Sequence, residues 1–379
     1  MLLFYFFMLL FGDNVKIAIL SVSERGHELS KNLKTLLSSD FKILKVDLYF
    51  KDIKNIMAKV FSSYDIIVGV MATGILIRSI AQYIENKTID PGVIAIDEKG
   101  KFVTSLLSGH IGRANEFTIQ IADLINGTAV ISTATDITNH LGIDVFANIF
   151  YFEILNPKNI LRFNKAILED KEIKIISNFD ISYIHKYFNK LNENKPSNEK
   201  YKNNFTLETH PSDKFDKKIS ECEFKEAINF KGDKKIIAIL KDHDHDEYIN
   251  FNLKKIVFGI GSKKNIENSK VISAIQAVSN DLNIDLSRID LLATADIKKD
   301  EKGIIESSEI LNVPLNIISI EKIQNFDFKD LSKSEFVKEN FNVYGICEPV
   351  SLISAGENSK LIYRKASFNG VTIAVAISK

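Results

Sequence analysis

The stretch DIIVGVMATGILIRSIAQY, residues 65–83, joins two hydrophobic patterns in one short segment. It opens with an apolar run as long as a buried strand, and from Gly74 to Tyr83 apolar residues recur at helical spacing. The same order repeats from residue 15 to about residue 140, which predicts a doubly wound, mostly parallel α/β sheet. The predicted strands are 15–20, 43–46, 65–70, 92–96 and 128–131, and the predicted helices are 23–38, 53–62, 74–83 and 111–124.

The chain of 379 residues is long enough for two or three domains with substantial cores. We predict an α/β fold with two Rossmann-like domains, at residues 15–140 and 255–379, flanking a smaller, divergent middle α/β domain at residues 141–254. The middle segment carries a Lys/Asn-rich insertion, and the last two strands are expected to meet at a turn at Asn369-Gly370. After residue 140, strands are predicted at 234–240, 255–259, 290–293, 315–318, 360–366 and 370–377, helices at 265–280, 301–311 and 333–339, and a strand-helix unit near 174–188.

Charge and cysteine content narrow the classes of function. Lys+Arg and Asp+Glu both number 49, so the net charge is zero. The overall charge therefore predicts no general electrostatic attraction to nucleic acid or to an anionic membrane. Any anion site must therefore be local. Cys222 and Cys347 form neither a C-x-x-C pair nor a disulfide framework, which disfavours a Cys-rich metal module and fits a reducing, cytoplasmic compartment.

Residues 1–14 form an apolar leader. Its apolar run, MLLFYFFMLLF, is shorter than the roughly 20 residues that span a bilayer, and it lacks both a basic start and a small-residue cleavage site. We interpret it as a mis-annotated start, with translation beginning near Val15. A short interfacial anchor is the alternative.

The densest group of reactive side chains is SLLSGHIGRANE, residues 105–116. An apolar run leads into a tight loop and then a helix start, whose backbone N–H groups and dipole favour an anion. His110 adds a group that titrates near neutrality, and Glu116 lies about one turn further on. The alternative is that Ser108 is only a helix cap and His110 an ordinary surface residue.

Two further loops have the same strand-to-helix character. GVMATGILIR, residues 69–78, passes through Thr73-Gly74 into a helix. One hypothesis is that it faces the His110 loop across a cleft, and the alternative is an ordinary structural turn from strand to helix. GIGSKKN, residues 259–265, lacks the third glycine of the dinucleotide fingerprint and the Walker lysine-hydroxyl pair, which disfavours NAD and ATP. Asp296 and Glu348 are expected just after strands, where α/β domains hold ligand groups.

Two other features are interpreted as structural. His243-Asp-His-Asp246 invites a metal assignment, but no distant partner with metal-ligand spacing is present, so a solvated turn is favoured and no protein-bound metal is predicted. Cys347 has no His beside it in sequence that would activate a thiolate, which favours a buried structural thiol.

Several of these strings together resemble the CbiG family, the cobalt-precorrin-5A hydrolases of the anaerobic cobalamin pathway. The resemblance extends over nearly the whole chain from Val15 and is weakest in the middle segment. One departure is Ser262-Lys263, where the family usually carries Cys-Arg, so the positive charge is kept and the thiol is not. The matching strings are GILIRSIA from Gly74, DPGVIAIDEKG at 90–100, LLSGHIGRANE at 106–116, LATADIKKDE at 292–301, CEPVS at 347–351, and Gly356.

The resemblance implies an enzyme that opens a δ-lactone joining the ring A acetate of cobalt-precorrin-5A to the former meso carbon. That carbon then leaves with its methyl as acetaldehyde, and cobalt-precorrin-5B remains. The substrate carries the cobalt, so no protein-bound cofactor is expected. From residue type and motif match, His110 is the predicted base, with Glu116 orienting it or substituting for it. Substrate contacts are predicted at Thr73, Gly74, Arg78, Ser108, Gly109, Gly112, Arg113, Asn115, Gly261, Lys263, Asp296, Lys298 and Glu348.

Two other functions compete with hydrolysis. The same loops could hold a corrinoid without turnover, as a carrier would. A nucleotide-dependent enzyme that uses residues 259–265 is the least favoured hypothesis.

The predicted partners are the corrinoid substrate, other cobalamin-pathway enzymes to which the corrinoid is passed, and a second copy of the chain in a homodimer. Neither nucleic acid nor a membrane is predicted as a partner.

Overall fold

The computed structural model describes most of the chain. The leader at residues 1–14, Cys222 and His243 to His245 lie outside the described residues. Two compact units are present, the first containing residues 20–30 and 49–253 and the second containing residues 15–19, 31–48 and 254–379. The described residues are 15–40, 43–86, 89–132, 140–193, 202, 204–220, 233–241, 246–327 and 331–378.

The first sheet has six strands in the order β2-β1-β3-β4-β5-β6. Its strands are β1 Val15–Ser21, β2 Ile43–Phe50, β3 Ile66–Val70, β4 Gly92–Ile96, β5 Phe102–Leu107 and β6 Thr128–Val130, and its helices are α1 Glu24–Leu37, α2 Ile53–Ser63, α3 Thr73–Ile80 and α4 Ala114–Leu124. All five residues of β3 are buried, as its apolar run predicts.

Strand β5 runs against its neighbour β4, whereas β3 pairs parallel with β4 and β6 pairs parallel with β5. A tight turn makes this reversal, and its Asp97 carboxylate accepts hydrogen bonds from the N–H groups of Lys99 (2.9 Å) and Phe102 (2.6 Å). The carboxyl end of β5 therefore lies at the edge of the sheet where β3 and β4 begin. The loop after β5 and the loop after β3 therefore lie at opposite edges of this sheet.

Two glycines let the loop after β5 pack against the start of β4. A Cβ on Gly92 would overlap the carbonyl oxygen of Gly112, and a Cβ on Gly112 would lie 2.9 Å from the nitrogen of Gly92. Real Cβ atoms do not approach backbone this closely. The contact fixes the position of the His110 loop beside the first residue of β4.

The second sheet has five strands in the order β7-β11-β10-β8-β9, and only its β8–β9 pair is parallel among the pairs described. Its core is aromatic: Phe146 lies 4.6 Å from Phe205 and 5.9 Å from Phe251 between ring centroids. This cluster holds the helix that carries Phe146 in place. The elements are α5 Ile143–Ile149, β7 Phe152–Ile154, α6 Ile160–Leu168, β8 Ile173–Ser177, α7 Ser182–Asn192, β9 Phe205–Thr209, α8 Ser212–Ser220, β10 Ile236–Leu240 and β11 Glu247–Leu253.

The third sheet has the order β14-β13-β12-β16-β15, with β12, β13 and β14 parallel and β16 antiparallel to both of its neighbours. The predicted hairpin turn is confirmed, since Asn369 and Gly370 both have positive φ, 45° and 96°. The elements are β12 Ile256–Ser262, α9 Asn268–Leu282, β13 Leu291–Ala295, α10 Lys302–Leu311, β14 Leu315–Ile318, α11 Ile320–Gln324, α12 Glu335–Phe341, α13 Cys347–Ala355, β15 Lys360–Phe368 and β16 Val371–Ile377.

The α/β fold class is confirmed, while the division into three domains stays a prediction. Sequence patterns did not predict α13, so Glu348 stands in the first turn of a helix and does not follow a strand directly. Within the described ranges, no helix combines the length and the apolar character needed to cross a bilayer.

Glu208 on β9 forms a cluster of ion pairs in the second sheet. Its carboxylate contacts Lys174 of β8 (2.7 Å), Lys218 of α8 and His210 (3.1 Å). Partial burial raises the pKa of Glu208, but the hydrogen bonds from Lys174, Lys218 and His210 outweigh it and lower the pKa to about 2.

We expect Gly92→Ala to destabilise the protein by about 1–3 kcal/mol, because the added methyl collides with backbone that cannot move aside cheaply. Gly345→Ala is the control, since the nearest atom to its Cβ is 3.4 Å away. Urea unfolding measures both. Equal midpoints for the two variants would contradict the packing described for the loop.

We expect Glu208→Gln to lower the free energy of unfolding at pH 7, since a carboxyl with a depressed folded-state pKa stabilises the fold above its ordinary pKa. The difference from the parent protein should shrink as the pH falls from 4.5, the ordinary value, toward about 2. Urea unfolding across this range tests it, with the exposed Glu357→Gln as control. A difference that does not vary with pH would contradict the ion pairs.

Candidate active site

The loop between β5 and α4 presents His110. Ser108 and Arg113 take left-handed backbone conformations, with φ of 52° and 63°, and bracket the turn. The first amides of α4 donate to carbonyls of this same loop, so they do not form the anion site that the sequence predicts at this helix start. The bonds run from Arg113 N to His110 O (3.0 Å), from Ala114 N to Ser108 O (3.3 Å) and from Asn115 N to Gly109 O (3.0 Å).

The space beside the loop glycines is filled by the chain itself. A Cβ on Gly109 would lie 2.7 Å from Oδ1 of Asn115, and that oxygen accepts a hydrogen bond from Oγ of Ser105 (2.6 Å). Gly109 and Gly112 therefore permit close internal packing, where the sequence predicts close approach of a ligand. Ser108 Oγ is buried and has no hydrogen-bond partner in the part of the chain that is described.

Arg113 and Glu116 form a buried, bidentate ion pair. Arg113 Nε donates to Glu116 Oε2 (2.7 Å) and Nη2 donates to Oε1 (2.8 Å), and the side chains are 9% and 6% exposed. The guanidinium carbon also lies 5.1 Å from the ring centroid of Phe117. Glu116 therefore holds Arg113 and does not orient His110, and Arg113 is engaged inside the fold where the sequence predicts a substrate contact.

Asp144 is the carboxylate beside His110. Its Oδ2 lies 3.7 Å from Nδ1 of His110, and the two side chains are 4% and 13% exposed. Asp144 stands in the first turn of α5, in the same compact unit as His110. The sequence interpretation missed it. The available signal was a lone charged residue inside the apolar run LGIDVFANI, residues 141–149.

Thr73, Gly74 and Arg78 lie at the other edge of the first sheet. Helix α3 starts at Thr73, directly beyond the carboxyl end of β3, whereas the His110 loop lies where β3 begins. The five-residue strand between these edges spans about 16 Å at 3.3 Å per residue. The expectation that the two loops face each other is therefore wrong. Arg78 is exposed, and its guanidinium lies near Gly74 on the same helix.

The third sheet has its own polar group at the carboxyl ends of β12 and β13. Ser262 is the last residue of β12, and Asp296 directly follows the end of β13. Ser262 Oγ and Asp296 Oδ1 are both buried and without a hydrogen-bond partner among the described residues. Lys298 reaches Glu301 (3.5 Å) at this edge. Of the predicted residues, Gly261 is the second-to-last residue of β12, and the exposed Lys263 directly follows that strand.

Glu348 and Cys347 are buried, and their contacts are with other parts of the fold. The Glu348 carboxylate is 2% exposed and accepts hydrogen bonds from N and Oγ of Ser332 (2.6 and 2.8 Å) and from N of Lys365 (3.0 Å). It joins a loop and β15 to α13, which differs from the ligand-facing position predicted for it. Burial raises the pKa of the Cys347 thiol to about 12, so this thiol stays protonated and is not a nucleophile at neutral pH.

No group of three or more potential metal ligands occurs in the described part of the chain. The His243 to His245 segment is not included in that statement, because it lies outside the described residues. The absence of a protein-bound metal or cofactor stays a prediction.

Comparison with known proteins gives matches over nearly the whole chain. Family models described as cobalamin synthesis G N-terminal and cobalamin synthesis G C-terminus match residues 55–136 and 256–376. A Methanocaldococcus jannaschii protein named a probable cobalt-precorrin-5A hydrolase is 31% identical over 95% of this chain and 98% of its own length. The cobalt-precorrin-5A hydrolase of Priestia megaterium is 23% identical over 95% of this chain and 94% of its own.

A solved structure agrees with the sequence matches. It is a cobalamin biosynthesis protein G homolog from Sulfolobus solfataricus, with a TM-score of 0.56 and 28% sequence identity. The match covers 97% of this chain and 99% of that one. The likeness therefore includes the middle segment that neither family model covers.

We expect Arg113→Met to cost about 3–5 kcal/mol of stability, because it leaves the Glu116 carboxylate buried without its partner. Adding Glu116→Leu should restore most of the loss, since the pair is then replaced by apolar groups of similar size. Urea unfolding of the parent, single and double variants measures this. A single variant as stable as the parent would contradict the structural role given to Arg113.

Proposed function

The chain belongs to the cobalamin synthesis G family, and from that premise we propose that it is a cobalt-precorrin-5A hydrolase. The observation that carries the proposal is the extent of the match. The chain corresponds to 98% and 94% of the length of two relatives named for this activity, so it includes the counterparts of nearly all their residues.

The proposed reaction has two stages. Water adds to the lactone carbonyl, and the bond between the carbonyl carbon and the ring oxygen of the lactone breaks. This gives the free acetate side chain and a hydroxyl on the former meso carbon. Loss of the hydroxyl proton then lets the bond between this carbon and the macrocycle break. The carbon leaves as acetaldehyde, and the electron pair remains on the macrocycle, where the cobalt of the substrate helps to accommodate it.

Both stages need a base, and we assign this role to His110. A neutral imidazole accepts a proton near pH 7, where other side chains are mostly fully charged or fully protonated. The His110 side chain is partly exposed, on a loop held by hydrogen bonds and by the Gly92–Gly112 contact. A carboxylate, Asp144, lies behind it at 3.7 Å. A base held in a partly exposed loop suits attack on a large substrate that cannot enter the core.

The substrate carries many carboxylates, and cations on the surface suit them. We propose that the exposed side chain of Arg78 contacts carboxylates of the substrate. Separately, in the third sheet, we propose that the exposed Lys263 suits an anionic group and that the unsatisfied oxygens of Ser262 and Asp296 suit hydrogen-bonding groups of a ligand. A cytoplasmic location, a homodimer and transient handover of the corrinoid to other enzymes of the pathway belong to the same proposal.

We expect His110→Ala to lower acetaldehyde release by about 10²- to 10⁴-fold, the usual contribution of a general base, without loss of folding. The assay is anaerobic incubation with cobalt-precorrin-5A, with acetaldehyde followed by coupled alcohol dehydrogenase and the corrinoid product by mass. His185→Ala, on the exposed face of α7, is the control and should behave as the parent.

Two outcomes would contradict these assignments. Near-parental turnover by His110→Ala would remove the histidine from the mechanism while leaving the hydrolase activity intact. Tight binding by the parent protein with an unchanged macrocycle would instead favour a corrinoid carrier.

A further inference from the structure

We propose that Asp144 is the positioning residue for His110, and that Asn164 in turn orients Asp144. The inference deepens the proposed function, because it names the groups that make one nitrogen of the imidazole available as the base. Neither Asp144 nor Asn164 lies within the family-model matches at residues 55–136 and 256–376.

The contacts form a chain from the backbone to the imidazole. The N–H of Ile143 donates to Oδ1 of Asn164 (2.8 Å), which identifies that atom as the amide oxygen. The amide nitrogen of Asn164 then donates to Oδ1 of Asp144 (3.1 Å). The other carboxylate oxygen, Oδ2, lies 3.7 Å from Nδ1 of His110. Each carboxylate oxygen of Asp144 thus has a different neighbour.

Close packing keeps these side chains in place. The Asp144 side chain is 4% exposed, and a Cβ on Gly142 would lie 2.8 Å from its Oδ1 and 3.2 Å from Oδ1 of Asn164. Glycine at this position therefore makes room for both side chains. Two residues after Asp144, the fully buried Phe146 anchors α5 in the aromatic core of the second sheet. The position of the carboxylate is thus set by a packed helix.

A carboxylate at Nδ1 controls the proton on the imidazole. It favours the neutral form that carries hydrogen on Nδ1, and this leaves the Nε2 lone pair to accept a proton from water or from the substrate hydroxyl. The 3.7 Å separation is longer than a hydrogen bond, and such contacts in substrate-free sites tighten as charge develops. Glu116, the acidic residue nearest to His110 along the chain, is already paired with Arg113, so its negative charge does not replace that of Asp144.

The first test needs no substrate. In protein labelled with ¹⁵N-histidine, His110 is assigned among the seven histidines by its absence from His110→Ala. We expect the parent protein at high pH to show hydrogen on Nδ1 and a bare Nε2. In Asp144→Asn this preference should be lost. An unchanged tautomer in Asp144→Asn would overturn the positioning role, whatever the activity of the protein.

The second test is kinetic and rests on the proposed function. Asp144→Asn should lower kcat for acetaldehyde release by about 10- to 100-fold, the usual effect of losing a group that orients an active side chain, with little change in KM. The control is Asp213→Asn, an exposed residue that also lies in the first turn of a helix, α8. A rise in KM with kcat unchanged would overturn the inference.

A second variant covers the case in which Asp144→Asn folds poorly. Asn164→Ala keeps the carboxylate and removes its support, so we expect the same loss of tautomer preference and a smaller fall in kcat. If Asn164→Ala shows the parental tautomer, Asn164 does not orient Asp144. A parent protein with the expected tautomer but without acetaldehyde release would refute the hydrolase proposal and leave the positioning inference standing.

Discussion

The antiparallel pairing of β4 with β5 is the constraint on which the rest of the candidate site depends. In an all-parallel sheet, the loop after β5 would lie beside the start of α3. Because the chain turns back at Asp97, that loop instead packs on the first residue of β4 through Gly92 and Gly112. The reversal separates the predicted site residues of this sheet into two groups and brings His110 toward the carboxylate of α5.

Two carboxylates near the loop have different roles because their surroundings differ. Glu116 is fully used by the guanidinium of Arg113, which neutralises its charge and ties the start of α4 to the loop. Asp144 meets an amide on one oxygen and an imidazole on the other. The first arrangement contributes to folding. The second places a carboxylate beside the imidazole that we propose as the base.

Much of the fold could be predicted from hydrophobic periodicity, because strands such as β3 are buried throughout and the hairpin at Asn369-Gly370 has a distinctive turn sequence. Periodicity does not report strand direction, so the reversal at β5 was not predicted. The strands and helices of the second sheet were largely missed, since β7 is only three residues long and neighbouring segments are rich in Lys and Asn.

The candidate site was predicted only in part, for a similar reason. Residue type and motif identified His110, because histidine in a glycine-rich loop is conspicuous. Its partner Asp144 is 34 positions away in sequence, and no spacing rule links the two. Glu116 was the nearest acidic residue along the chain, but it lies in the first turn of α4, where it pairs with Arg113 directly before that helix.

The link between His110 and Asp144 also bears on how this protein can evolve. The imidazole belongs to the first sheet, whereas α5 is anchored by the aromatic core of the second sheet. If residues 15–130 were exchanged with those of a relative, the incoming loop would meet the α5 of this chain, which keeps its own Asp144. Under the proposed positioning role, a change in the packing of either segment would move the imidazole relative to its carboxylate.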